Sequence, residues 1–289
     1  MEIIYTRNSR DVAKSVAQEL SLMDFPANVL SFSSGEICVS LEKSFRNVLV
    51  VTFASNHDEW MELFLLLDAL RSAQKIILCL TYMGYSRQDR QRENQSFGAG
   101  LLARFLEMLR PAHCLMLDNH CEPMLRIPFH HMSAAKIFET DIRSSYKSDQ
   151  IAVVSPDIGG APRANLLAKS LGCDFAICNK TRNVFGELKK MHKLGGSVAG
   201  KICLLLDDIV DSGATLCRAA EILMESGALS VAAYCTHGVL SAGSREKLEK
   251  SALMEIVLTN SIAHPQLPAG KFRKLPITSL IAETIRCIL

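Results

Sequence analysis

The run Leu206-Asp207-Asp208-Ile209-Val210-Asp211-Ser212-Gly213-Ala214-Thr215 brings adjacent carboxylates, a third acid and a turn of small, hydroxyl-bearing residues into one stretch. Such a run can cradle a phosphorylated sugar. A turn that opens a helix offers unpaired backbone N–H groups to a phosphate, and Ser212 and Thr215 add two hydroxyls. The acids would repel a bare phosphate, so they fit a ribose diol, or a Mg²⁺ ion whose charge offsets theirs. The plain alternative is a strand followed by an ordinary Asp or Ser helix cap. A cap needs one such residue, whereas here three acids precede a Ser-Gly-Ala-Thr turn.

A cradle of this kind needs a buried strand before it and a helix after it. Residues 201–206 form a short apolar run bounded by a charge, as in a strand covered on both faces. Asp207 and Asp208 then fall at its carboxyl end, the edge at which open α/β sheets bind ligands. The same rhythm runs along the chain. Helices are predicted over 11–20, 59–73, 98–109 and 161–171, and strands at 48–53, 75–82, 114–117, 151–154, 175–178 and 231–235. This alternation predicts an α/β fold of two doubly wound domains with mainly parallel sheets. The polar, aperiodic stretch 144–149 sets their boundary, giving domains 1–141 and 142–289, with the last helix left free to pack back on the first.

At 289 residues the chain can bury two cores. Its 32 basic and 30 acidic residues leave a net charge of +2, too small a field to hold nucleic acid or a membrane surface, so any anion site must be local. The ten cysteines are scattered singly, without a Cys-x-x-Cys pair, and read as reduced core thiols such as Cys203. The start of the chain lacks a signal-peptide pattern. The apolar run Leu63-Phe64-Leu65-Leu66-Leu67 stops at Asp68, too short for a bilayer, and a cytoplasmic location is expected. One stretch stands out for local charge: Lys180, Arg182, Lys189, Lys190, His192 and Lys193 precede Gly195-Gly196. It is expected to be a long basic loop, either a functional cover or a solvated charge run.

The cradle resembles the phosphoribosyl-pyrophosphate loop shared by type I phosphoribosyltransferases and ribose-phosphate pyrophosphokinases. Further segments decide between the two. Phe32-Ser33-Ser34-Gly35-Glu36 resembles the Phe-Ser-Asp-Gly-Glu motif of the pyrophosphokinases, and Tyr85-Ser86-Arg87-Gln88-Asp89-Arg90 is close to their Tyr-Ala-Arg-Gln-Asp-Arg. Ser155-Pro156-Asp157-Ile158-Gly159-Gly160, Asn179-Lys180-Thr181-Arg182, Thr236-His237-Gly238-Val239-Leu240-Ser241 and Ala282-Glu283-Thr284-Ile285-Arg286 also match in order. A phosphoribosyltransferase shares the cradle but has no need of the 32–36 or 85–90 segments, so the pyrophosphokinase reading is preferred.

That resemblance implies that ATP and ribose 5-phosphate bind together with Mg²⁺. The anomeric hydroxyl attacks the β-phosphorus, AMP leaves, and 5-phosphoribosyl 1-pyrophosphate is made. By the same resemblance Lys180 and Arg182 are catalytic, and the basic loop closes over the site. His120 and Asp157 serve the metal, Asp157 being the firmer contact because Mg²⁺ prefers oxygen. ATP falls to Phe32, Ser34, Gly35, Glu36, Arg87, Gln88 and Asp89. Ribose 5-phosphate falls to Arg182, Asp207, Asp208, Asp211, Ser212, Gly213, Ala214 and Thr215. The family builds its ATP site between subunits, which implies at least a dimer and leaves a hexamer open.

The chain also departs from the pattern. Ser34 stands where Asp or Asn is usual, which weakens a hydrogen bond to the adenine amino group. Gly100 stands where the family commonly has a lysine, the Gln-Gly-Phe-Phe pattern is missing after His120, and the sequence stops at Leu289 without the C-terminal tail common in the family. Nucleotide selectivity, phosphate activation and hexamer formation are therefore left open. Three readings stand at this point: an active pyrophosphokinase, a transferase consuming the same sugar diphosphate, and a catalytically silent homologue. Retention of Lys180, Arg182, His120 and Asp157 speaks against the last.

Overall fold

A computed structural model describes residues 1–121, 126–182, 188–264, 267 and 270–288, and the side chains of these apart from 179–194. The chain divides into two compact units. One comprises 1–133, 261–263 and 276–289; the other comprises 134–260 and 264–275.

In the first unit the elements run β1 (Glu2–Tyr5), α1 (Arg10–Leu20), β2 (Asp24–Pro26), β3 (Asn28–Ser31), β4 (Ile37–Ser40), β5 (Asn47–Ala54), α2 (His57–Ala69), β6 (Lys75–Met83), α3 (Gly98–Leu109), β7 (His113–Leu117) and β8 (Phe129–Met132). Six strands form a wholly parallel sheet in the order β2-β1-β5-β6-β7-β8, and β3 and β4 pair as a separate antiparallel hairpin. The central strands are unbroken apolar runs because both faces are covered. Val48, Val50, Leu78 and Leu80 pack with Trp60, Leu63 and Leu67 of α2. Asn56 caps α2 by accepting the Glu59 N–H at 3.1 Å, and Glu59 reaches back to the Ser55 N–H at 2.6 Å, which fixes where the helix starts.

The second unit holds α4 (Ala135–Ser145), β9 (Ile151–Ser155), α5 (Ala161–Leu171), β10 (Asp174–Arg182), β11 (Leu188–Gly195), β12 (Ile202–Val210), α6 (Ala214–Glu225), β13 (Ser230–Gly238), α7 (Ser244–Glu249), β14 (Leu253–Thr259) and β15 (Phe272–Leu275). Its sheet order is β11-β10-β9-β12-β13-β14-β15, parallel except for the β10–β11 pair. Cys203, Leu205, Ala233 and Cys235 pack with Leu216, Ala219 and Leu223 of α6. The final helix, α8 (Thr278–Ile288), belongs to the first unit, where Ser279 Oγ donates to Glu19 of α1 at 3.1 Å.

The architecture is thus α/β with two mainly parallel sheets, and two expectations need correction. The compact units themselves divide after Ser133, so that the whole of α4 belongs to the second unit. Asp141 on that helix accepts the Tyr234 hydroxyl at 2.9 Å and both Arg273 nitrogens at 2.5 and 2.8 Å. The polar stretch after α4 is a surface turn within that unit. The expected basic loop is instead a β-hairpin, with Lys180 opposite Met191 and Thr181 opposite Lys190. Lysine-rich sequence is how an edge strand such as β11 discourages further pairing. Lastly, β12 continues through both acids to Val210, which pairs with Gly238.

All ten cysteines are free, and Cys79, Cys114, Cys178, Cys203 and Cys235 are buried. Burial pushes the Cys114 thiol up to about 12, which keeps it protonated and inert. Among the described residues no helix is long and apolar enough to cross a membrane.

Candidate active site

At the carboxyl end of β12 the strand gives way to a three-residue turn and then to α6. Gly213 caps this helix with φ of 73°, a left-handed conformation that favours glycine, and a Cβ there would lie 2.8 Å from Leu248 Cγ. Glycine is therefore required twice over. The first turn of α6 carries no acidic residue, and its Ala214 N–H bonds Ser212 Oγ at 3.5 Å. The turn thus combines backbone donors at a helix N-terminus with two hydroxyl-bearing residues, Ser212 and Thr215.

The two acids before the turn differ in surroundings. Successive strand residues point to opposite faces, so the carboxylates diverge. Asp208 is buried and lies 3.6 Å from Arg163 of α5, whereas Asp207 is half-buried and takes the Asp208 N–H on its Oδ1 at 3.0 Å. Beneath them, burial first and then the two carboxylates hold the Cys235 thiol well above its ordinary pKa, so it stays neutral. Asp211 is half-buried and Ser212 exposed.

Asp157 lies between β9 and α5, another carboxyl end of the same sheet. Its Oδ1 accepts the Gly160 N–H at 2.9 Å and its carbonyl accepts Ser155 Oγ at 2.6 Å, which fixes the turn. Lys180 and Arg182 lie on the outer half of β10, past the stretch that pairs with β9; their side chains lie outside the described residues.

The nucleotide candidates lie in the first unit. Phe32, Ser34, Gly35 and Glu36 form the tip of the β3–β4 hairpin, closed by Phe32 N–H to Glu36 O at 2.8 Å and Gly35 N–H to Phe32 O at 3.0 Å. All four are exposed, Gly35 has φ of 90°, and Ser34 Oγ donates to Glu36 Oε2 at 2.9 Å. Arg87, Gln88 and Asp89 follow β6. There Gly84 packs so closely that a Cβ would meet the Ala54 and Ser55 carbonyl oxygens at 2.6 Å, and Tyr85 takes a positive φ of 66°. Arg87 and Gln88 are exposed and Asp89 is partly so. His120 is exposed beyond β7, after Asp118, whose positive φ of 33° turns the chain as its N–H bonds Met132 O at 2.9 Å. This segment comes near the 87–89 loop: burial, and then the Asp89 charge, raise the Cys121 thiol.

Two family models match parts of the chain: the N-terminal domain of ribose phosphate pyrophosphokinase over residues 1–109, and the phosphoribosyl synthetase-associated domain over 179–289. Ribose-phosphate pyrophosphokinases of Brucella melitensis and Maricaulis maris are 39% and 36% identical, over 99% and 100% of this chain and 96% of each relative. The chain belongs to the ribose-phosphate pyrophosphokinase family. The crystal structure of phosphoribosylpyrophosphate synthetase from Mycobacterium smegmatis is similar throughout, with a TM-score of 0.90 at 30% identity, covering 100% of this chain and 99% of that one.

Within this pyrophosphokinase fold, two supports of the cradle escape sequence reasoning. Arg163 pairs with Asp208 from a position 45 residues earlier, and Leu248 closes the space behind Gly213; neither stands in a motif that signals its role. Gly100 has a local explanation. A Cβ there would fall 2.2 Å from Phe97 Cε1, so the lysine usual in pyrophosphokinases and the present Phe97 ring exclude each other. The stretch after His120, where the Gln-Gly-Phe-Phe pattern is missing, includes residues 122–125, which lie outside the described residues.

Proposed function

We propose that the chain transfers the pyrophosphoryl group of ATP to the anomeric hydroxyl of ribose 5-phosphate, releasing AMP and feeding nucleotide biosynthesis. The observation that carries this reading is the turn 211–215, which offers backbone donors and hydroxyls at the start of α6 directly after the acids of β12. The 5-phosphate takes the turn of Ser212, Gly213, Ala214 and Thr215. Asp207 and Asp211 meet the sugar hydroxyls, while Asp208, on the opposite face of β12 and held by Arg163, completes the acidic end of the strand. Phe32 stacks on adenine, Ser34, Gly35 and Glu36 border the base, and Arg87, Gln88 and Asp89 meet the nucleotide. Attack at the β-phosphorus spreads negative charge over several oxygens, so positioned cations serve it better than one strong base does. Lys180 and Arg182 take that role.

Mg²⁺ fits these residues as an ion carried largely by the substrate. Among the described residues no group of three His, Cys, Asp or Glu side chains could hold a metal alone, and Mg²⁺ commonly keeps water and binds through one or two carboxylates with phosphates. Asp157 and, less firmly, His120 would hold it; when bound it neutralises triphosphate charge. Self-association to at least a dimer accords with the apolar stripe Leu101, Phe105 and Met108, spaced to share a face of α3 and exposed in the single chain.

The test is AMP formation from ATP, ribose 5-phosphate and Mg²⁺, with the sugar omitted as control. Sugar-dependent AMP is expected. In Lys180→Ala we expect turnover to fall about a thousandfold, roughly 4 kcal/mol of transition-state stabilisation, with unchanged thermal stability. AMP formation that ignores the sugar would overturn the reading. Near-normal turnover in the variant would remove Lys180 from the mechanism.

A further inference from the structure

Behind the sugar-phosphate turn lies a second set of contacts that the site residues do not include. Gly238 ends β13 beside the end of β12, and the N–H groups of Val239 and Leu240 both bond the carbonyl of Val210, at 2.9 and 3.2 Å. Val210 is the last strand residue before Asp211. The Gly238 carbonyl in turn meets the Nε2 of His264, while Arg245 Nη2 meets the Nδ1 of the same ring at 3.2 Å. A guanidinium can only donate, so Nδ1 must be the acceptor and Nε2 must carry the proton that it gives to Gly238. The ring is thereby fixed as one neutral tautomer. Burial, and the Arg245 and Lys274 charges, favour that neutral form, and Lys274 Nζ also bonds the His264 carbonyl at 3.1 Å.

Two features mark this junction as built. A Cβ on Gly238 would lie 2.7 Å from Leu258 Cδ1 and 3.5 Å from His264 Nε2, so the ring and Leu258 pack closely against this glycine. Furthermore, α7 supplies both Arg245, on the ring, and Leu248, against Gly213 at the cap of α6. One short helix thus reaches both ends of the turn 211–213, directly at Gly213 and through His264, Gly238 and Val210 at its start.

We propose that His264, oriented by Arg245, is a positioning residue for ribose 5-phosphate binding, holding the start of the phosphate turn through Gly238. It touches no substrate. The inference rests on the sugar-phosphate reading of the turn, and kinetics of the full chain separate the two.

If the wild-type chain gives ribose-5-phosphate-dependent AMP, the reading of the turn stands and the variants test the latch. His264→Leu, which removes donor and acceptor, is expected to raise the ribose 5-phosphate KM about tenfold, with the ATP KM within about twofold. His264→Gln can donate from its amide nitrogen and accept on its oxygen, and is expected to stay within about threefold of wild type. Arg245→Met frees the ring to change tautomer and is expected to raise the same KM about threefold. If His264→Leu fails to fold, the Gln and Met variants decide. A ribose 5-phosphate KM that does not move in the Leu and Met variants would overturn the proposal. So would ATP and sugar constants that move together, since that is what mere destabilisation produces.

Discussion

Gly35 and Gly213 both take a positive φ, 90° and 73°, yet their surroundings are opposite. Around Gly35, at the tip of the β3–β4 hairpin, a Cβ would meet nothing within 4 Å; around Gly213 it would collide with Leu248. The hairpin proposed for the nucleotide is thus held by its own turn hydrogen bonds, while the turn proposed for the sugar phosphate is gripped between β12, α6 and α7. A helix N-terminus binds phosphate well only if its N–H groups already point at one place, because ordering them at binding costs affinity. A hairpin that lays an aromatic ring on a base can tolerate a loose tip, since stacking is broad in angle.

This contrast predicts unequal responses to one chemical change. Gly213→Ala imposes both a left-handed backbone and the Leu248 collision. We expect kcat/KM for ribose 5-phosphate to fall about a hundredfold, near 2.7 kcal/mol, with the ATP KM within about twofold. Steady-state kinetics with each substrate varied in turn would show it. A loss shared equally by the two substrates would mean that the grip on Gly213 serves the unit as a whole and not the phosphate turn.

The rigid side of the comparison also depends on a frame away from the site. Asp141 joins α4 to β13 and β15 through the Tyr234 hydroxyl and the Arg273 guanidinium, and Arg273 is shared with Glu255 at 2.6 Å. Burial alone would raise the Asp141 pKa and is the largest single effect, but the Arg273 and Tyr234 hydrogen bonds together outweigh it and hold the carboxyl below its usual range. The native state therefore binds fewer protons than the unfolded chain, whose carboxyl titrates near pH 4. The resulting stability is complete above about that pH and is lost as pH falls toward the native pKa. Asp141→Ala should cost about 2 kcal/mol in urea unfolding at neutral pH, because it leaves the Tyr234 hydroxyl and Arg273 without this partner. The variant should also show a weaker decline of stability on acidification than wild type. An unchanged acid profile would place the acid sensitivity elsewhere.

The same two regions differ in how far the sequence reveals them. The strand before the acids is legible because Ile202 to Leu206 is apolar throughout, and helices 98–109 and 161–171 are legible because their period is uninterrupted and glycine or proline marks their ends. The passage of β12 through Asp207 and Asp208 is not, since two acids in a central strand need a partner, and Arg163 comes from another helix. The β10–β11 hairpin is hidden because lysines mask the alternation of an edge strand. His264 belongs to no motif, and only tertiary packing brings it to Gly238. In the β3–β4 hairpin the motif residues 32–36 are legible, but their order in space depends on a turn of a kind common to exposed loops. Short-range chemistry is written in the sequence, whereas the supports that grip it are contributed from a distance.

The looser side yields the smaller effects. Gly35→Ala meets only backbone strain, so the ATP KM should rise no more than about fivefold, roughly 1 kcal/mol, with the sugar constant unchanged. Ser34 offers a gain instead of a loss. Its hydroxyl is engaged by Glu36 at 2.9 Å, so it has little to give a base, and the short side chain ends where a longer amide would reach further. Aspartate at this position would place a second negative charge beside Glu36, whereas asparagine adds reach and an acceptor without charge. Ser34→Asn should therefore lower the ATP KM about threefold relative to GTP, near 0.7 kcal/mol, the size of one exposed hydrogen bond. Competition between the two nucleotides, followed by the ratio of AMP to GMP formed, measures it directly. An unchanged ratio would show that this turn does not read the base, and the nucleotide role of the hairpin would then rest on Phe32 alone.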